Sequence, residues 1–145
     1  MTHFASRLAG IEPFQVMDIL ARARALEAQG RSIIHMEIGE PDFPAAPGIV
    51  AAGIAALKAG HTHYTSALGL PALRAAIAAN YASACHVSAA RVVVTPGASG
   101  ALQLVLAALL DPGDQVLMAD PGYPCNRHFV RLFEGAAVSI AVGPE

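Results

Sequence analysis

The chain has 145 residues, about one domain's worth, with 54% hydrophobic and 14% charged residues and a mean hydropathy of +0.48, which excludes intrinsic disorder. A formal net charge of −2, with nine Lys and Arg scattered singly, supplies no basic face and excludes nucleic acid and anionic membrane as partners. Residues 1–10 hold no apolar core of signal-peptide length, and the longest apolar stretch, Ala101 to Leu110, is far below the roughly 18 residues of a membrane span, so the expectation is a soluble, cytoplasmic protein.

The sparse charge also predicts that much of the chain packs against something further. From Val16 to Ala28 the residues Val16, Ile19, Leu20, Ala23 and Leu26 recur at helical spacing, and Gly30 stands where a left-handed C-terminal residue is wanted. Ile33 to Ile38 alternates, with Ile34, Met36 and Ile38 on one side and His35 and Glu37 on the other. That predicts a short strand running into the turn Gly39-Glu40-Pro41-Asp42. Ile49–Ala59 and Pro71–Ala84 read as two Ala-rich helices, the second opened by Pro71, whose missing N–H does no harm in a first turn. Gly60 to Leu70 links them as a loop carrying His61, His63, Tyr64 and Thr65.

After Arg91 the elements alternate: strand Val92–Thr95, helix Ser99–Leu110, turn Asp111–Asp114, strand Gln115–Ala119, helix Asn126–Phe133, strand Ala137–Val142. Strands about 22 residues apart with helices between them predict crossover connections and a parallel sheet, hence an α/β class. Three such strands are too few for a sheet covered on both faces. The boundary between the opening segment and the α/β part falls within Pro41 to Gly48. Cys85 and Cys125, 40 positions apart with no second pair to form a metal knuckle or redox motif, read as buried thiols.

The strongest chemical signal is Thr95-Pro96-Gly97-Ala98-Ser99-Gly100-Ala101, where a strand ends and a long helix begins. Free backbone N–H groups and the positive helix end converge there, as an anion site requires. Gly97 and Gly100 remove side chains that would block approach, and Ser99 can donate a hydroxyl or simply cap the helix; the same residues would equally serve as a plain cap and turn. A Walker loop is excluded because no Lys follows the second glycine. A dinucleotide loop needs three glycines and finds two, although Asp120 ends the next strand where a ribose-binding carboxylate would sit. A nucleophile elbow needs Gly where Ala101 stands, and His128 follows too soon to be an obvious triad partner.

Five segments then fall into one order: Ile38-Gly39-Glu40-Pro41-Asp42-Phe43; Tyr64 within Thr62-His63-Tyr64-Thr65, followed by Gly69-Leu70-Pro71-Ala72-Leu73-Arg74; Thr95 to Leu102; Asp111-Pro112-Gly113-Asp114; and Asp120-Pro121-Gly122-Tyr123-Pro124. In that order and spacing the chain closely resembles, from about Ile33 to Val142, the N-terminal part of the class I/II aminotransferases, pyridoxal-phosphate enzymes of the aspartate aminotransferase fold (fold type I). The resemblance implies the beginning of a three-layer α/β/α fold with a mainly parallel sheet, incomplete in this chain. Residues 1–47 would be a small-domain part and 48–145 the start of the large cofactor-binding domain. It further implies that Val92–Val94 lies at the opposite side of the large-domain sheet from the next two strands.

Carried residue by residue, the resemblance makes Gly97, Ala98 and Ser99 the cup for the cofactor phosphate and Tyr123 the aromatic residue stacked on the pyridine ring. Tyr64 becomes the tyrosine that reaches the phosphate of a neighbouring subunit, and Gly39 the glycine whose backbone faces the substrate carboxylate. Pyridoxal 5'-phosphate is the implied cofactor, an amino acid and a 2-oxo acid the implied substrates, and a homodimer the implied assembly. The family also needs a later lysine to form the Schiff base, an aspartate at the pyridinium nitrogen and arginines for the substrate carboxylates. The one lysine here, Lys58, lies in the Ala-rich helix ahead of the tyrosine loop and matches no such position. The 145 residues alone are therefore expected to be inactive.

Other pairs read as structural. His61 and His63 flank Thr62 with no third ligand placed, so no metal is expected, and Asp111 with Asp114 is turn chemistry. The same fold hosts carbon–sulfur lyases, and this half alone would also make a non-catalytic remnant or binding module, so fold leaves the reaction open.

Overall fold

The structure, a computed structural model, describes residues 3–143. Met1, Thr2, Pro144 and Glu145, at the outer ends of the two expected domains, lie outside the described residues. The chain divides into two compact units, one made of residues up to Gly39 together with those from Gly97 onward, the other of Glu40–Pro96.

In the first unit a 3-10 turn, Ser6–Gly10, precedes α1 (Gln15–Glu27). Gly30, at φ +85°, ends that helix, and the Arg31 N–H returns to the Leu26 carbonyl at 3.2 Å, which satisfies an otherwise orphaned acceptor. We label the remaining helices of the chain in order: α2 (Pro47–Lys58), α3 (Pro71–Tyr81), α4 (Gly97–Leu109) and α5 (Pro124–Leu132). β1 (Gln115–Asp120) and β2 (Ala136–Ala141) pair in parallel, with Gln115 opposite Ala136 and Asp120 opposite Ala141, and α5 is the crossover between them.

The core of this unit forms around α5, which packs against α4, β2 and the 3-10 turn. Val130 is completely buried. A Cβ on Gly135 would lie 2.9 Å from Val130 Cγ1, 3.1 Å from Leu110 Cδ1 and 3.3 Å from the Asp114 carbonyl oxygen, so only glycine lets β2 start this close to the helix. The Asp-Pro-Gly-Asp turn forms as expected: Asp114 Oδ2 accepts from the Asp111 N–H at 2.9 Å, and Gly113 sits at φ +93°.

In the second unit, α3 packs on a 3-10 turn at Ala89–Arg91 that Ser88 caps. Arg74 of α3 donates from Nε to the Val92 carbonyl at 2.8 Å and from Nη2 to the Ala89 carbonyl at 2.7 Å. Val94 donates its N–H to the Leu68 carbonyl at 3.0 Å, and a Cβ on Gly69, which is at φ +99°, would lie 2.6 Å from Val94 Cγ2.

Two expected strands do not form. Residues 33–38 and 92–95 join no sheet among the described residues, because a side-chain pattern describes one segment while a ladder needs a neighbour; the Val94 N–H is instead taken by the loop carbonyl of Leu68. β1 and β2 do find each other, and the sheet is parallel as the spacing predicts. The buried-thiol reading is also corrected: Cys85 is exposed, in the turn just past α3, and Cys125 is only half-buried in the first turn of α5.

The accessible surface is large for the mass. The chain leaves 11822 Å² accessible, against about 7,000 Å² for a folded monomer of this mass. Among the described residues only Ala23, Val92 and Val130 are buried apolar side chains, while Leu117 of β1 and Ile54 of α2 stand open. No helix among the described residues is long and apolar enough to cross a membrane.

Candidate functional site

The loop expected to hold a phosphate becomes the first turn of α4. The helix begins at Gly97, two residues before the expected start, so Ser99 sits inside the turn and is not its N-cap. Its carbonyl accepts from Gln103 Nε2 at 3.2 Å, and its hydroxyl has no partner among the described residues. Gly97 adopts φ +70°, a conformation other residues adopt only with strain, and the space its missing Cβ leaves is open. No acidic side chain lies in this turn, so the positive end of α4 is uncompensated by the helix itself.

Tyr123 stands just before α5, immediately after the turn that leaves β1. Its ring centroid lies 6.0 Å from that of Phe14 at 58°, which holds one side of the ring, and 57% of the residue remains accessible. A hydrogen bond with the Cys125 thiol holds the phenol pKa above its usual value. The turn is fixed by Gly122, where a Cβ would come within 2.5 Å of the Ala119 carbonyl oxygen. Asp120, the residue that a dinucleotide reading would assign to a ribose, faces Arg127 with 3.6 Å between Oδ1 and Nη2.

Of the other expected residues, Gly39 ends the first stretch of the same unit and is exposed, with open space about its Cα. Tyr64 belongs to the second unit, and at 108% relative accessibility its side chain is uncovered by the described residues of that unit. Lys58 is exposed in the last turn of α2. His61 and His63 are exposed in the loop, and no group of three or more His, Cys, Asp or Glu placed to hold a metal occurs among the described residues.

The positive end of α4, with no acidic side chain in its first turn and open space where a Gly97 Cβ would stand, suits a phosphate dianion, and the exposed ring of Tyr123 suits a planar heteroaromatic group. Reading the sequence for ligand groups missed two residues beside Tyr123. Gly122 was visible only as turn chemistry. Asn126, whose Oδ1 is buried without a partner among the described residues, lies three residues after Tyr123 and was likewise invisible.

Residues 31–145 match the model of the family described as "Aminotransferase class I and II". The chain is 43% identical over 130 residues to a (5-formylfuran-3-yl)methyl phosphate transaminase of Methanocaldococcus jannaschii, covering 88% of this chain and 35% of that enzyme. It is 37% identical over 147 residues to a valine–pyruvate aminotransferase of Mycobacterium tuberculosis, covering 100% and 38% respectively. Among solved structures, an aminotransferase from Mycobacterium tuberculosis superposes with a TM-score of 0.92 at 38% identity, over 99% of this chain and 38% of that one. The aspartate aminotransferase from Thermus thermophilus with maleate superposes with a TM-score of 0.93 at 30% identity, again over 99% and 38%. The chain thus spans little more than a third of the length of these relatives.

Proposed function

The chain belongs to the class I and II aminotransferases and forms an N-terminal part of their fold type I architecture, and from that premise we propose that the protein it represents moves an amino group between an amino acid and a 2-oxo acid with pyridoxal 5'-phosphate. The observation that carries the reading is the first turn of α4, with its open Gly97, a Ser99 hydroxyl unengaged by the described residues and no acidic side chain.

In this reading the N–H groups of Gly97 and Ala98 and the hydroxyl of Ser99 bind the phosphate, and Tyr123 stacks on the pyridine ring and orients it. Pyridoxal phosphate, when bound, supplies the electron sink that the protein lacks. Gly39 presents its backbone N–H to the substrate carboxylate, where the absence of a side chain permits close approach. Tyr64, uncovered by the described residues of its own unit, reaches the phosphate site of a second subunit, so the working assembly is a homodimer.

The catalytic amine comes from outside these 145 residues, since Lys58 is a helix-end lysine open to solvent. The chain alone is accordingly inactive. Residues 1–47 belong to a small domain and 48–145 to the start of a large one, and the enzyme is cytoplasmic. Titrating the full-length protein with pyridoxal phosphate and, separately, with a dinucleotide tests the site. Saturable binding of the first and none of the second is expected; the reverse contradicts the proposal.

A further inference from the structure

The imidazole of His35 lies between two carboxylates. Its Nδ1 is 2.6 Å from Glu37 Oε1, and its Nε2 is 2.8 Å from Glu27 Oε1 at the C-terminal end of α1. A neutral imidazole carries one N–H, so it cannot donate to both carboxylates; the arrangement requires the doubly protonated, charged ring. These are the charged groups that face the ring, Glu27 from α1 and Glu37 from its own segment. No other polar link holds this stretch: among the described residues no backbone hydrogen bond ties residues 32–45 to any element, and no strand forms there. Gly39 follows Glu37 by two residues, so the clamp is the nearest fixed point to it.

We infer that His35, gripped by Glu27 and Glu37, is a positioning residue for the Gly39 backbone, so that the affinity for the substrate carboxylate depends on the charge of this ring. The inference rests on the role proposed above for Gly39. The hydrogen bonds to Glu37 and then Glu27 raise the His35 pKa above its ordinary 6.5, and the bond to His35 lowers that of Glu37 below its ordinary 4.5. The sign follows from both shifts. The His35 contribution is complete below about pH 6.5, where the unfolded ring is also charged, and is lost as pH rises through the raised value. The Glu37 contribution is present above its ordinary value and lost as pH falls through the lowered one. The clamp is therefore closed between the two folded-state values and opens on the alkaline side.

The test uses the full-length protein with its histidine Cε1 positions labelled with ¹³C. His35 is expected to titrate above the ordinary histidine value of 6.5, and Glu27→Gln and Glu37→Gln each to lower it; titration at or below that value, unmoved by either variant, overturns the clamp. In steady-state kinetics, KM for the amino donor should rise about two- to fivefold through the His35 titration with kcat unchanged, the scale of an exposed ion pair. His35→Arg, a cation over the whole range with donors on two edges, should keep KM low and remove this rise, while His35→Gln should hold KM high throughout. A rise that persists in His35→Arg, or no rise in the wild type, overturns the positioning role. If the wild type transfers no amino group at any pH, the proposed function fails by itself, and the clamp is then judged by the ¹⁵N order parameter of the Gly39 backbone. It should fall through the His35 titration in the wild type and stay constant in His35→Arg; the same pH course in both overturns the clamp.

Discussion

Gly122 sits against the carbonyl oxygen of Ala119, so close that a Cβ at residue 122 would lie 2.5 Å from that oxygen. The obstacle is backbone and cannot swing aside, so Gly122→Ala must shift the turn that delivers Tyr123 to the start of α5. Overpacking of this kind costs about 1 to 3 kcal/mol. The full-length variant is expected to melt at lower temperature and to bind pyridoxal phosphate more weakly. Wild-type values for both would show that Tyr123 does not depend on this turn.

The Ser99 hydroxyl is unengaged by any described residue and belongs to the first turn of α4, beside open Gly97. Ser99→Ala in the full-length protein should weaken pyridoxal phosphate binding by about 1 to 3 kcal/mol, the range for a hydrogen bond to a charged group. Pyridoxal, which lacks the phosphate, should bind the variant and the wild type alike. An unchanged affinity for pyridoxal phosphate would leave Ser99 a mere helix residue.

Arg74 satisfies two backbone carbonyls at once, those of Val92 and Ala89, from a part-buried position. Arg74→Met leaves both acceptors unpaired and should destabilise the protein by about 1 to 3 kcal/mol for each carbonyl that finds no water. Arg74→Lys should recover only part of the loss, because one ammonium cannot reproduce the planar fork. Denaturant titration measures both variants, and equal stability of Met and Arg at this position would remove Arg74 as a structural tie.

Tyr64 is uncovered by the described residues of its own unit. Hybrid dimers with Tyr64→Phe and the disabled catalytic amine in one subunit, beside an unaltered partner, separate the two assignments. The one working site, in the partner, then takes its tyrosine from the altered subunit, and its activity at limiting cofactor should drop. If that site behaves as wild type, Tyr64 serves its own subunit or none.

Most of the fold was legible in the sequence wherever an element's partner lies within it. The 3.6-residue recurrence of Val16, Ile19, Leu20 and Ala23 marks α1, and Pro71 marks the start of α3 within a residue. β1 and β2 were legible because each provides the other's ladder. The alternation at Ile33–Ile38 and the β-branched run Val92–Thr95 are as good, yet among the described residues neither segment pairs, since a strand is a relation between two segments and its pattern shows only one. The proposed phosphate cup was legible as a chemical composition, but the start of α4 at Gly97 was not. Gly97 at φ +70° can be the first helical residue, a choice that residue type permits and does not dictate. The His35 clamp was half legible: Glu37 shares its side of the alternation, whereas Glu27 arrives only through the tight turn at Gly30.

Amino-group transfer itself gives the most direct test. The full-length protein, with pyridoxal phosphate, a mixture of ¹⁵N-labelled amino acids and an unlabelled 2-oxo acid, should place ¹⁵N on the acceptor. The 145 residues alone should place none there and should give no borohydride-trapped adduct beyond labelling of Lys58 and the amino terminus. Release of ¹⁵N as ammonia without transfer would contradict the aminotransferase reading and favour a lyase of the same fold, and transfer by the 145 residues alone would contradict the assignment of the catalytic amine to another part of the protein.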